Sequence, residues 1–249
     1  ERIIFPINSL IGQPLAIGGR TVKKDSYYAK YINSPETQFF KKGNNLYNLD
    51  KARKLSNATS QIFLVEGYMD VIGLHNNGVE NCVANLGTAL TDKQISILNQ
   101  FFNEIVICFD GDESGYKAAV RAAENAIKEL QPEKQVSFLF LPTGEDPDTF
   151  INKNGKDKFD DYYKLHKIQI HEFLFDHLKK QSNNSPSSLA ILEKKLRYIS
   201  TSIKDQFVKK YVLDYFLGKI KSLTPNLTKG KQWTIKHVAS LSATKQIYN

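Results

Sequence analysis

The chain has 249 residues, 41% of them hydrophobic and 11% aromatic, which is enough apolar material to bury a core and too much for an intrinsically disordered protein. Its formal net charge is +8, and no apolar run approaches the roughly 20 residues that a membrane-spanning helix needs. The two cysteines, Cys82 and Cys108, lie in separate apolar segments, which argues against a zinc-ligand pattern or a disulfide framework and for buried, reduced thiols in a cytoplasmic protein.

Residues 1–60 carry 10 Lys/Arg against 4 Asp/Glu, a net of +6. The opening Glu1-Arg2-Ile3-Ile4-Phe5-Pro6 has no initiator Met and no signal-peptide stretch, and it reads as a strand entered midway in a fragment of a longer protein. Residues 3–7 and 14–17 are strand-like, Gly18-Gly19 is expected to interrupt, and Asn33-Ser34-Pro35-Glu36 marks a turn or a helix start.

Residues 61–160 reverse the balance, with 8 Lys/Arg against 16 Asp/Glu, a net of −8. Ile62-Phe63-Leu64-Val65 is a continuous apolar run, the pattern of a strand buried on both faces of a parallel sheet. A helical stretch at 69–76 follows, then a strand at Cys82-Val83-Ala84 that ends before Gly87-Thr88. Thr91-Asp92-Lys93-Gln94 is a capping box that opens a helix to about residue 102. A third strand spans 105–109. The next helix, 114–130, has an inner face of Ala119, Ala122, Ala123, Ala126, Ile127 and Leu130, and a fourth strand, 136–141, stops at Pro142. This β-α-β-α-β-α-β order predicts an α/β fold with a mostly parallel central sheet flanked by helices.

Residues 161–249 are basic again, with 16 Lys/Arg against 6 Asp/Glu, a net of +10. Three apolar stripes predict a small helical bundle: Ile170, Phe173, Leu174, His177 and Leu178; Leu189, Leu192, Leu196 and Ile199; Phe207, Tyr211, Val212, Tyr215 and Phe216. Turn formers at 181–188 separate the first two, and the tail after Thr224 carries little pattern. The expected division is a basic mixed α/β lobe (1–60), an acidic α/β domain (61–163), and a helical subdomain with its tail (164–249), α+β overall.

The chemistry-bearing residues fall where strands end. Glu66-Gly67 follows the first strand of the sheet and Asp110-Gly111-Asp112 the third, and in open parallel sheets the carboxyl ends of the strands form the ligand crevice. Gly111 allows a sharp turn that keeps both aspartates facing one space. Asp70, four residues after Glu66, shares its helical face and supports it. Glu145-Asp146-Pro147-Asp148 follows the fourth strand, and alternation along an extended segment puts Asp146 and Asp148 on one side. Isolated aspartates at loop starts are commonly structural. Three acidic clusters at one sheet edge repel one another unless a cation joins them. All-oxygen ligands suit Mg²⁺, which keeps waters and substrate phosphates in its other positions. A basic protein with an acidic centre fits metal-assisted phosphate chemistry on a polyanion.

Phe63-Leu64-Val65-Glu66-Gly67-Tyr68-Met69-Asp70, with Asp110-Gly111-Asp112 and Glu145-Asp146-Pro147-Asp148, resembles the TOPRIM module of primases, topoisomerases and some nucleases. Asn85-Leu86-Gly87-Thr88-Ala89, Gly18-Gly19-Arg20 and Tyr31-Ile32-Asn33-Ser34-Pro35-Glu36-Thr37 narrow the resemblance to the catalytic core of bacterial DnaG-type primase. The resemblance covers residues 1–165; the helical region fits in kind.

It implies a nucleotidyltransferase that makes short RNA primers on single-stranded DNA, a DNA-directed RNA polymerase of the primosome in DNA replication. It implies metal ligands at Glu66, Asp110, Asp112, Asp146 and Asp148, with Asp70 behind them, Mg²⁺ as cofactor and Mn²⁺ able to substitute. A basic ridge for template and nucleotide phosphates falls on Arg20, Lys30, Asn33 and Lys42, and Tyr27, Tyr28, Tyr31 and Phe39 offer stacking surfaces or core. Zinc would belong to a domain outside this chain. Replicative helicase and single-strand-binding protein would be met through other regions, and guanine nucleotides could compete at the basic ridge. The expected location is the bacterial cytoplasm, at the nucleoid. The competing readings are a TOPRIM nuclease or topoisomerase-like enzyme, and a non-catalytic nucleic-acid-binding module.

Overall fold

A computed structural model of the chain describes residues 1–23, 27 and 29–223. Tyr28 and the tail from residue 224 therefore lie outside the described residues, as do 24–26.

The N-terminal lobe is an antiparallel sheet of β1 (Arg2–Asn8), β2 (Pro14–Thr21) and β3 (Tyr31–Asn33), in that order. The expected break at Gly18-Gly19 does not occur. Strand β2 runs through both glycines, which pair with Phe5 and Ile4 on one side and with Asn33 and Ile32 on the other. The cause is a neighbour, not a turn: a Cβ on Gly18 would lie 2.6 Å from the Tyr68 hydroxyl, so only glycine admits the ring. Tyr68 is buried, stacks on Phe5 with ring centroids 4.8 Å apart, and meets Tyr47 edge-on, also at 4.8 Å. Ile7, Phe40 and Leu86 complete this small core. The opposite face of the sheet keeps Ile4, Ile17 and Ile32 half exposed. Asn33–Glu36 starts no helix; Asn33 ends β3, and the Ser34 N–H donates to Ile17 O at 2.9 Å.

The larger sheet has the order β5-β4-β6-β7-β8. Its strands β4 (Gln61–Val65), β5 (Cys82–Ala84), β6 (Glu104–Phe109) and β7 (Gln135–Phe140) are parallel, as the apolar runs predict. A two-residue strand β8 (Ile168–Gln169), invisible in the sequence pattern, adds antiparallel to β7. Helices α2 (Tyr68–Asn76) and α5 (Pro147–His166) cover one face through Val71, Leu74, Phe150, Ile151 and Phe159. On the other face, α3 (Asp92–Asn99) and α4 (Glu113–Ala126) share a single core with the C-terminal helices, a short helix, α1 (Leu49–Ala52), among them.

Local signals fared well where they were local. The capping box is present: Thr91 Oγ1 accepts from the Gln94 N–H at 3.1 Å and Gln94 Oε1 from the Thr91 N–H at 3.0 Å. That helix ends at Asn99, short of residue 102. Helix α4 buries the alanine face the sequence pointed to. The three C-terminal helices are α6 (Ile170–Lys179), α7 (Pro186–Thr201) and α8 (Gln206–Leu223). In α8 the buried line is Val212, Phe216 and Ile220, whereas Phe207 and Tyr211 are 72% and 66% exposed. The expected stripe thus merged two adjacent lines of the helix, one facing in and one out. Helix α5, which is two helical segments joined by a kink at Gly155 (φ 79°), runs across residue 163, and its successor β8 still belongs to the sheet.

The chain goes from β4 through α2 out to β5, then back past β4 to β6 through α3 on the opposite face. The topological switch point therefore lies between the carboxyl ends of β4 and β6, where a doubly wound sheet opens its ligand crevice.

Gly18→Ala drives a methyl group into Tyr68 and is expected to lower stability by about 1–3 kcal/mol in chemical denaturation. Gly19→Ala, whose Cβ would meet the Arg2 side chain at 3.3 Å and Ile4 Cδ1 at an ordinary 3.6 Å, is expected to lose less than half as much.

Candidate active site

All six acids singled out in the sequence lie at the carboxyl-terminal edge of the parallel sheet. Glu66 follows the last residue of β4 and Asp110 the last of β6. Asp112 and Asp146 are the N-cap residues of α4 and α5, and Asp148 lies in the first turn of α5. Asp70 is the third residue of α2, which begins after Glu66, so these two acids do not share a helical face. Backbone contacts hold the three loops together. The Gly111 N–H donates to Glu145 O at 3.3 Å, and the Leu141 N–H to Phe109 O at 3.2 Å. Gly111 does not have a positive φ. It is glycine because a Cβ there would overlap the carbonyl oxygens of Leu141 and Pro142. A Cβ on Gly73 of α2 would likewise overlap Asp148 of α5.

Four of the acids already have structural partners. Asp112 Oδ1 accepts from the Gly115 N–H at 2.7 Å, Asp146 Oδ1 from the Thr149 N–H at 2.7 Å, and Asp70 Oδ2 from the Gly67 N–H at 2.9 Å. Asp148 Oδ1 accepts from Asn152 Nδ2 at 2.8 Å. The extended conformation expected for residues 145–148 is replaced by a helix start. Pro147 is the first helical residue, where its missing N–H and fixed φ cost nothing, and Asp146 caps it. Glu66 and Asp110 differ from the rest. Among the described residues neither carboxylate has a hydrogen-bond or ion-pair partner, and they stand at the ends of the two strands that flank the switch point.

The basic residues are only partly gathered. Arg20 and Lys30 lie over the Tyr31 ring, 5.9 and 5.8 Å from its centroid, and the Arg20 charge reaches Asp148. Lys42 sits on a separate turn docked against α3, where its carbonyl accepts from Gln94 Nε2 at 3.2 Å, and it is not one of the cations over the Tyr31 ring. Asn33 is committed at both ends of its amide: Nδ2 donates to Leu86 O at 2.8 Å, and Oδ1 accepts from the Tyr68 hydroxyl at 2.7 Å. Tyr27, Tyr31 and Phe39 are exposed, not core.

Two family models match the chain: one described as Toprim-like over residues 63–151, the other as the N-terminal domain of the DNA primase catalytic core over residues 1–53. A DNA primase domain from Pseudomonas aeruginosa is 36% identical, with a TM-score of 0.82 over 90% of this chain and 68% of that one. A DnaG primase catalytic domain solved with single-stranded DNA is 35% identical, with a TM-score of 0.80 over 88% of this chain and 70% of that one. This chain belongs to the DnaG primase family. The DNA primase of Haemophilus influenzae is 43% identical over 181 residues, 73% of this chain but 30% of the relative. The chain thus spans about a third of the length of the curated primases it matches.

Within this primase core the acids perturb one another. Burial in the crevice, then the charges of Asp110 and Asp112, push the Glu66 carboxyl up, although water still reaches it. Asp110 is pushed up by burial, then by Asp146 and Asp112. Asp70, 8% exposed, is raised to about 7 by burial, against the Gly67 hydrogen bond and with further upward pressure from Asp146, Asp110 and Asp148. Among the described residues no three His, Cys, Asp or Glu form a ready-made metal cage. That arrangement suits a cation that takes one or two carboxylates and fills its other positions with water and phosphate oxygens, as Mg²⁺ does. Glu66 and Asp110 are the two acids there whose carboxylates have no partner among the described residues.

Sequence reasoning gave no role to Asn85 or Arg121, which line the crevice beside Glu66. The strand-end position of Asn85 was a signal; Arg121, two turns into α4, offered none.

An acid whose folded-state pKa is raised is stabilising only while protonated. The contribution of Asp70 is complete below about pH 4 and is lost as pH rises through about 7. In chelator-treated protein, thermal stability is expected to fall by on the order of a few kcal/mol over that window. Asp70→Asn, which keeps the acceptor for Gly67, removes the largest part of the slope.

Proposed function

We propose that this chain is the metal- and phosphate-holding part of a DNA primase, which synthesises short RNA primers on single-stranded DNA by metal-dependent nucleotidyl transfer. The observation that carries the proposal is the pair of unpartnered carboxylates, Glu66 and Asp110, at the switch point of a primase-family fold. Glu66 and Asp110, with Asp112 beside them, would hold one Mg²⁺, or Mn²⁺ in its place, and Asp146 and Asp148 a second. When bound, the divalent ion screens the triphosphate and favours ionisation of the attacking hydroxyl.

The remaining tasks fall to the chain itself. Asp70 fixes the Gly67 N–H and so orients the turn that carries Glu66. Arg20 and Lys30 would neutralise phosphates of template or nucleotide without reading sequence, with Lys42 as a further contact on its own turn. Asn33 would act as a strut that keeps this basic strand against the acidic loops. Tyr31 presents an exposed ring on which an unpaired base could stack. A relative is solved with single-stranded DNA, and we extend that ligand to the groove between the basic lobe and the acids. Guanine nucleotides would compete there through their phosphates. Helicase and single-strand-binding protein would be met through other parts of the full-length primase, at the replisome in the cytoplasm.

In the full-length protein, Glu66→Gln and Asp110→Ala are each expected to lower primer synthesis by at least about a hundredfold, as loss of several kcal/mol of charge stabilisation requires. Wild-type synthesis by both variants would overturn the proposal. Arg20→Ala is expected to weaken single-stranded DNA binding irrespective of sequence and to lower the slope of log K against log salt by about 0.7.

A further inference from the structure

Tyr116 stands one turn into α4, where its N–H donates to Asp112 O at 3.1 Å. Its ring packs on Phe140, the last residue of β7, and on Phe173 of α6, so it marks the β7 end of the acidic edge. The Tyr31 group marks the other end: Tyr31 packs on Tyr68, just beyond β4, and Asn33 is tied to the loop after β5. Only β6 separates β4 from β7, a gap of about 10 Å.

The Tyr116 hydroxyl oxygen is 3.0 Å from His177 Nδ1, and Lys180 Nζ is 5.3 Å from the centroid of the same ring. Neighbouring groups settle the direction of that hydrogen bond. Lys195 Nζ can only donate, and it gives to Gln181 Oε1 at 3.2 Å, so the Gln181 amide nitrogen is what faces His177 Nε2 at 3.3 Å. That amide nitrogen is a donor as well. His177 Nε2 must therefore accept, which leaves the imidazole proton on Nδ1, donated to the Tyr116 oxygen. Burial, then the Lys180 charge, hold the His177 pKa below its ordinary value against the pull of Glu124, with Lys195 adding to the depression, and the neutral ring this requires is favoured. The Tyr116 O–H is then left with no acceptor among the described residues. Lys180 is exposed and has no ion-pair partner among them. Two unspent donors at one half-exposed ring, one of them cationic, suit an anion.

We propose that Tyr116 and Lys180 hold a backbone phosphate of the nucleic acid where it leaves the acidic crevice over the helical subdomain. The inference rests on the primase reading and adds to it a contact on the side opposite the basic lobe. A strand that enters beside Arg20 and Lys30 crosses the acids and meets a second aromatic ring carrying a cation. His177, Gln181 and Lys195 touch no phosphate; they are positioning residues that turn the Tyr116 hydroxyl into a donor.

The test is a fluorescence-anisotropy titration of this chain over a range of salt, with two ligands: single-stranded DNA, and the same DNA with a short RNA strand paired to it. The proteins are the wild type, Lys180→Ala, Tyr116→Phe and Arg20→Ala. Lys180 is exposed and phenylalanine keeps the ring of Tyr116, so neither change disturbs the core. On at least one ligand, Lys180→Ala is expected to weaken binding about tenfold and to lower the slope of log K against log salt by about 0.7. Tyr116→Phe is expected to weaken it about threefold with the slope unchanged, because the donor it removes is neutral. Loss seen with single-stranded DNA assigns the phosphate to the template, and loss confined to the paired ligand assigns it to the RNA. Wild-type affinity and slope in Lys180→Ala on both ligands overturn the inference, as does wild-type affinity in Tyr116→Phe on both. If Arg20→Ala still weakens binding in that event, the primase reading survives; if it too has no effect, the failure extends to that reading.

Discussion

Carboxylates that repel one another have to be held together by something other than themselves. In this chain the restraint is backbone contact among three loops. Gly111 lies against the carbonyls of Leu141 and Pro142, and Gly73 against Asp148, so the β6–α4 loop, the β7–α5 loop and helix α2 approach more closely than any side chain would allow. The N-termini of α4 and α5 add N–H groups and partial positive charge where Asp112 and Asp146 sit, which offsets part of the repulsion. The function proposed for the crevice depends on this closeness. Relaxing any one loop would separate the acids and return the raised pKa values of Glu66, Asp70, Asp110 and Asp148 toward those of free carboxylates.

The same economy joins the two sheets. Tyr68 comes two residues after Glu66, yet its ring belongs to the core of the N-terminal lobe, stacked on Phe5 and capped by Asn33. Asn33 in turn holds Leu86 in the loop after β5, and the Tyr47 backbone pairs with Ala84 at the end of β5. The strand that bears Arg20 is therefore fastened to the loops that bear Glu66 and Asn85. Cations and carboxylates can face one ligand without neutralising each other because the rigid aromatic contact sets their spacing. The Arg20 charge reaches Asp148, but burial and Asp146 still hold that carboxyl above its ordinary value.

What the sequence made legible follows from the range of each interaction. The strands β4 and β6 announce themselves because burial on both faces demands an unbroken apolar run, and β7 departs from it only at the buried Ser137. The Thr91–Gln94 capping box lies within four residues of itself. The acids could be placed at one edge because strand ends in a parallel sheet share that edge. The failures have distant causes. Gly18-Gly19 reads as a break until Tyr68, 50 residues away, is seen to need the space. Pro147 reads as extended chain until the helix it starts has something to pack on, namely Phe63 and Val65 of the sheet. Two residues cannot show the pattern of a strand, so β8 was silent. In α8 the inward and outward lines differ by one residue, and only the position of the sheet's core decides between Val212 and Tyr211.

The division among the six acids bears on how the site can be dissected. Asp112 and Asp146 each cap a helix as well as face the crevice, and losing such a cap costs about 0.5–2 kcal/mol of stability by itself. A variant at either position changes the fold of a loop and the charge of the site together, so lost function there does not separate ligand from scaffold. Asp70 raises the same ambiguity through Gly67, and Asp148 through Asn152. The Glu66 and Asp110 carboxylates hold nothing among the described residues. Removing either also removes a mutual repulsion, so the protein without metal should tolerate the change or gain from it while the bound state loses. That opposition between stability and function is what a side chain kept for a ligand, and not for the fold, has to show.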